Sequence, residues 1–161
     1  MAPGTRLAMR AVDTAELRSG GGIVGDRYEN ARHRHVSLQS TEDLAASSAA
    51  LGTTIDPGST RRNITVSGPP LPTTPGVRIT IGSRIADADA DADDGRNDND
   101  NGNGVGAVVE LEVVRVAAPC KIMDDAVGPG AHRAMRHRGG VICRVIAGGV
   151  VAVGDPVTPA R

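Results

Sequence analysis

V-V-R-V-A-A-P-C-K-I-M-D-D, Val113 to Asp125, is an apolar strand that runs into Ala118-Pro119 and stops at Cys120. Proline fixes its own φ and brings no N–H, so the ladder ends there and the cysteine is presented on a turn at the sheet rim. Lys121, the only lysine in the chain, follows directly. An ammonium beside a thiol is one setting in which cysteine acts as nucleophile or metal ligand; the alternative is a small packing side chain.

Working outward, the chain reads as mainly β. At 161 residues it predicts a single domain, residues 1–161. There is no Phe or Trp and one Tyr, so the core must come from Val, Ile, Leu and Ala, a β-favouring set. Downstream of Cys120, Gly128-Pro129-Gly130 opens a short helix carrying Ala131, Ala134 and Met135, which Gly139-Gly140 ends. Residues 141–146 and 150–153 flank A-G-G as a hairpin, and a Gly-Asp-Pro turn leads to a last strand at Val157. Cys143 falls inside the first of these apolar runs and reads as packing.

Upstream, V-R-I-T-I at 77–81 alternates cleanly, and the strands at 77–86 and 107–116 are expected to pair. Between them, residues 87–104 form a low-complexity Asp/Asn/Gly-rich hairpin insertion, expected to be disordered. An EF-hand reading fails because the twelfth loop position is Val108, where a bidentate Glu is needed. His35 to Gln39 alternates as a strand and leads into a helix capped by Ser40 and closed by Gly52, and 61–66 is a further strand. A weaker strand pattern covers 6–12. Gly20, Gly22 and Gly25 formally satisfy G-x-G-x-x-G, but no helix starts inside the motif, so a tight turn presenting Asp26 and Arg27 is expected instead. Seven or so strands, two short helices and many Gly/Pro turns predict a closed or nearly closed barrel.

With 18 basic and 19 acidic residues the net charge is −1, which points to neither nucleic acid nor membrane. Seventeen of the basic residues are Arg, grouped at 32–34, 61–62 and 133–138. Arg suits bidentate contact with phosphate, so a small anionic ligand is expected. Two cysteines 23 residues apart make no disulfide framework, and there is no run near the ~18 apolar residues of a membrane span. A soluble, cytoplasmic protein is the reading. His33, His35, His132, His137 and Cys120 do not match a standard zinc spacing.

Three segments in order, G-I-V-G-D-R-Y at 22–28, R-R-N-I-T-V-S-G at 61–68, and P-C-K-I-M-D-D through R-G-G-V-I-C-R-V-I-A-G-G-V-V-A-V-G-D-P-V at 119–157, resemble the MOSC domain, the C-terminal domain of molybdenum cofactor sulfurases and their stand-alone bacterial relatives. The resemblance implies a β-barrel-like fold and a pocket for molybdenum cofactor (molybdopterin). It implies that Cys120 ligates molybdenum or carries sulfur as a persulfide, and that Arg61 or Arg62 with Asn63 meets the phosphate or pterin. Gly25, Asp26 and Arg27 would form the facing turn, with Arg138 of the third basic group as a further cofactor contact.

Many small relatives carry a second cysteine three residues earlier, where this chain has Ala117. No pyridoxal phosphate domain or iron–sulfur pattern accompanies the barrel, so a separate protein would donate electrons or sulfur. Two functions follow from the resemblance: a molybdenum-dependent reductase of N-hydroxylated compounds, or a non-catalytic carrier handing sulfane sulfur or cofactor to a partner.

Overall fold

The computed structural model describes residues 1, 4, 9–82 and 108–159. The insertion expected at 87–104 lies outside them. Among the described residues, nine strands and three short helices follow in order: β1 Thr14–Arg18, β2 Gly22–Ile23, β3 Val36–Ser40, α1 Thr41–Leu51, a 3₁₀ turn at Pro57–Thr60, β4 Ile64–Val66, β5 Arg78–Ile81, β6 Val109–Val116, α2 Ile122–Ala126, α3 Ala131–Ala134, β7 Val141–Ala147, β8 Gly149–Ala152 and β9 Val157–Pro159. Six strands form a nearly closed barrel-like sheet in the order β4-β3-β7-β6-β5-β9, and β2-β1-β8 form a smaller one.

Alternation along the strands sets the core. On β6, Val109, Leu111 and Val113 are buried while Glu110 and Glu112 face outward. The outward row is used: Arg78 bridges Glu110 at 3.0 Å and Glu112 at 3.1 Å, and Arg144 also pairs with Glu112, tying β5, β6 and β7 together. Register shifts between Glu110 and Leu111 and between Val113 and Arg115 bend β6, as barrel closure requires. Leu17, Val36, Leu38, Ile79, Leu111, Val141 and Cys143 meet in one cluster. Each large aliphatic side chain fully buried there contributes roughly 1.5–3 kcal/mol. A second cluster, Leu44, Ile55, Met123, Ala131 and Met135, packs the three helices against one another and supports the turn after β6.

The structure differs from the sequence reading at four places. The first strand is Thr14–Arg18, and the described residues 9–12 are not strand. Residues 57–60 make a 3₁₀ turn, because Asp56 caps Ser59 N–H at 2.9 Å, and the strand expected from 61 begins at Ile64. The segment after Cys120 forms α2, a third helix. Finally, β7 and β8 do not pair as a hairpin: β8 pairs with β1 (Ala15↔Val151) and β7 with β3 and β6. Gly148 explains the divergence. A Cβ there would meet Leu17 O at 2.5 Å, so only glycine lets the chain cross β1 closely enough to change sheets.

Gly139 and Gly140 make the junction beneath Cys120. A Cβ on Gly140, whose φ is 79°, would run into the Leu38 carbonyl, and one on Gly139 into the Ala117 carbonyl. Ala117 N–H donates to Gly140 O at 2.8 Å, so the end of β6, the start of β7 and β3 touch backbone to backbone.

Candidate functional site

β6 ends at Val116, and Cys120 stands exposed on the turn before α2, as the Pro-Cys pattern requires. The turn is braced from below by Arg62. Its Nε donates to Gly139 O at 2.7 Å and its Nη2 to Ala117 O at 2.9 Å. These carbonyls flank the turn, so the guanidinium clamps the two chain segments that carry and support the thiol. Burial pushes the Arg62 pKa down to about 10, with Arg34 pushing the same way and Cys120 opposing, which still leaves the group charged at neutral pH.

The segment between β2 and β3 supplies the other side. Gly25 takes φ 74° on an exposed turn, and its N–H donates to Glu29 Oε2 at 2.7 Å. Asp26 is buried, accepting from Tyr28 N–H at 3.0 Å and from Asn63 Nδ2 at 3.2 Å. Asn63 Oδ1 accepts from the Ser37 N–H at 3.0 Å and the Ser37 hydroxyl at 2.7 Å. This chain of bonds fixes the turn against β3 and aims Tyr28. The Arg27 guanidinium lies 4.6 Å and that of Arg34 4.1 Å from the Tyr28 ring centroid, both within cation–π range.

Charge gathers here. Arg27 and Arg34 act on Arg62, Arg27 and Arg115 on Arg34, and Arg27 on Arg61. Desolvation is the main cause holding the pKa values of Arg34 and Arg61 below the ordinary arginine value, and like charges add to it. Five guanidiniums thus share a neighbourhood whose named carboxylate is Asp26. Two of their buried nitrogens, Arg27 Nη1 and Arg34 Nε, have no hydrogen-bond partner among the described residues. Buried N–H groups without acceptors are costly, and an anion is the acceptor that suits them.

The structure therefore brings Cys120, Arg61, Arg62, Asn63, Asp26 and Arg27 into one region, but with divided roles. Arg62 and Asn63 spend their side chains on the protein. Arg138 does likewise, donating to Ala134 O at 3.3 Å at the end of α3, and it is not among the charges acting on Arg62. Sequence reading missed Tyr28 and Arg115, and had Arg34 only as part of the 32–34 basic group. A lone aromatic set among arginines, D-R-Y-E-N-A-R-H-R at 26–34, was the available signal.

Cys143 is fully buried, and desolvation pushes its thiol up to about 12, which fits packing. Among the described residues no three His, Cys, Asp or Glu side chains converge as a metal cage. A cleft of about 210 Å³ is lined by Asn63, Ile64, Val66, Ile81, Val151 and Val157 among others, with no arginine or cysteine, and shares only Asn63 with the residues described above. No helix among the described residues is long and apolar enough to cross a membrane.

A family model described as the MOSC domain matches residues 25–158. The fold is similar to the YuaD protein from Bacillus subtilis, with 19% identity and a TM-score of 0.74 over 98% of this chain and 90% of that one. It is also similar to YiiM from Escherichia coli (16% identity, TM-score 0.59, 93% of this chain, 64% of that chain) and to YiiM from Geobacillus stearothermophilus (15%, 0.56, 80% and 55%). The chain spans less than two thirds of either YiiM protein, and at these identities the likeness concerns the fold. No curated protein matches the sequence significantly. With the match running from the Gly25 turn through the Arg-Arg-Asn segment, Cys120 and the last strand, this chain belongs to the MOSC domain family.

Proposed function

We propose that the chain binds molybdenum cofactor with its phosphate at Arg27 and Arg34, Arg61 alongside, and its metal end toward Cys120. The observation that carries this reading is the pair of buried, unpartnered nitrogens, Arg27 Nη1 and Arg34 Nε, in a crowd of guanidiniums beside an exposed thiol. Two planar forks with free donors match a phosphate's oxygens, and a bound dianion offsets the mutual repulsion of the arginines. MOSC domains are associated with this cofactor in general, and the donor set here fits it.

When bound, the cofactor supplies a molybdenum centre for two-electron oxygen-atom chemistry. The chain's own residues bind and orient. Tyr28 holds the two guanidiniums, Asp26 and Asn63 hold Tyr28, Arg62 holds the Cys120 turn, and the Cys120 sulfur would be the soft ligand to the metal end. Reduction of N-hydroxylated compounds with a separate electron donor is the activity we assign. A carrier role, in which Cys120 holds sulfane sulfur for a partner, is the second reading, favoured by the exposure of that thiol.

The test is retention. Arg27→Lys and Arg34→Lys keep the charge but lose the planar fork, and each should lower the pterin phosphate recovered with protein from a cofactor-competent host. Retention unchanged in both would place the phosphate elsewhere.

A further inference from the structure

The segment from Val24 to His35 carries Arg27, Tyr28 and Arg34 but contains no strand, so its position depends on a few ties. Val24 N–H donates to Glu16 O at 3.0 Å, Asn30 N–H to Gly21 O at 2.6 Å, and His35 N–H to Cys143 O at 3.1 Å. Further ties are side chains: Glu29 faces Arg18 at 3.6 Å, Asp26 accepts from Asn63 Nδ2 at 3.2 Å, and His35 reaches β7. His35, next to Arg34 and 5% exposed, accepts the Val145 N–H of β7 on its Nδ1 at 3.0 Å. A ring accepting at Nδ1 is neutral, with its proton on the other nitrogen. A hydrogen bond with the backbone of Ala31 joins the same ring to the middle of the segment.

We infer that His35 is a positioning residue of the arginine segment: its neutral ring pins the His35 end of the segment to β7, and protonation at Nδ1, which sets a second donor against the Val145 N–H, unpins it and weakens anion binding. The inference rests on the reading that Arg27 and Arg34 hold an anion.

Its sign follows from the surroundings. Burial holds the His35 pKa below the ordinary value; Arg144 of β7 and His33 of its own segment push the same way, and the Ala31 contact opposes them. Arg144 is paired with Glu112 of β6, and the neighbouring Cys143 thiol, pushed up to about 12, stays neutral at every pH concerned. Once unpinned, the ring returns toward about 6.5. The unpinned form therefore binds more protons between the lowered value and about 6.5. The pin is complete above that window and is lost as pH falls through it.

The test is a nuclear magnetic resonance titration of the full chain with inorganic sulfate, whose charge is constant from pH 8 to pH 5. Wild-type affinity should fall by up to about tenfold per pH unit below about 6.5, with the Val145 amide and Arg34 Nε–H signals changing over the same range. His35→Gln offers an amide oxygen to Val145 and an amide N–H toward Ala31 without titrating. It should match wild type at pH 8 and show no fall on acidification. Wild-type affinity that rises on acidification, a fall that persists in His35→Gln, or a His35 titration that leaves the Val145 amide unmoved would overturn the inference. If sulfate binds neither protein at pH 8, the anion reading fails. The pin is then still decided by whether the Val145 and Arg34 signals follow the His35 ring in the wild type.

Discussion

Arg61 and Arg62 are adjacent in sequence, and Arg62→Lys tests the clamp that the structure gives to Arg62. Arg62 is 9% exposed and its fork spans two backbone carbonyls, Gly139 O at 2.7 Å and Ala117 O at 2.9 Å. A lysine keeps the charge but has one nitrogen on a flexible stem, so it satisfies one carbonyl and leaves the other buried without a donor. That orphaned carbonyl costs about 1–3 kcal/mol. For a chain of this length each kcal/mol lowers Tm by roughly 2–4 °C. Urea denaturation should show a lower midpoint with an unchanged slope, since the same surface is exposed on unfolding. Arg61→Lys, at a half-buried position, should cost less stability and more cofactor. An Arg62→Lys midpoint equal to wild type would refute the clamp.

Further outcomes follow from single contacts. Cys143→Ser places a hydroxyl in the apolar core and should destabilise by about 1–3 kcal/mol in the same denaturation assay, while Cys120→Ser, on an exposed turn, should leave stability nearly unchanged. Gly140→Ala must hold φ 79° and collides with the Leu38 carbonyl, so a loss of about 3 kcal/mol or more, or failure to fold, is expected from expression and thermal melting. Glu42 accepts from Gly68 N–H at 3.0 Å and the Ser40 hydroxyl at 2.7 Å, and these bonds hold its pKa at about 2. A depressed carboxylate stabilises above its ordinary value and loses that effect as pH falls through about 2, so Glu42→Gln should flatten the acid limb of a stability-versus-pH curve between about pH 4.5 and 2. Replacing residues 87–104 by Asn-Gly should preserve the melt, because Ile81 and Val109 are already antiparallel partners at that end of the hairpin.

What the sequence made legible was local. Ser40 accepts the Asp43 N–H at 3.1 Å and Gly52 closes α1 at φ 77°, as their positions predict, because capping depends on a few adjacent residues. The pairing of the 77–81 strand with the strand before Cys120 was likewise readable from alternation and from their places either side of one insertion. Long-range choices were not. The departure of β8 from β7 depends on Gly148 meeting Leu17 across the fold, and no periodicity encodes that contact. The site shows the same limit. Arg-Arg-Asn at 61–63 stood out as polar residues at a strand start, yet the fold turns Arg62 and Asn63 inward as scaffolding, and the guanidiniums with unpartnered nitrogens come from 27 and 34. Charge alone marked the segments 32–34, 61–62 and 133–138, but which donors are left over can be known only after every carbonyl has found its partner.

The most direct measurement is molybdenum and released pterin on protein purified from a cofactor-competent host, compared with Cys120→Ser. Molybdenum and pterin in equal amounts, stoichiometric with the chain, and molybdenum lost or labile in the variant, are the predicted result. Wild-type protein carrying neither above background would contradict the account.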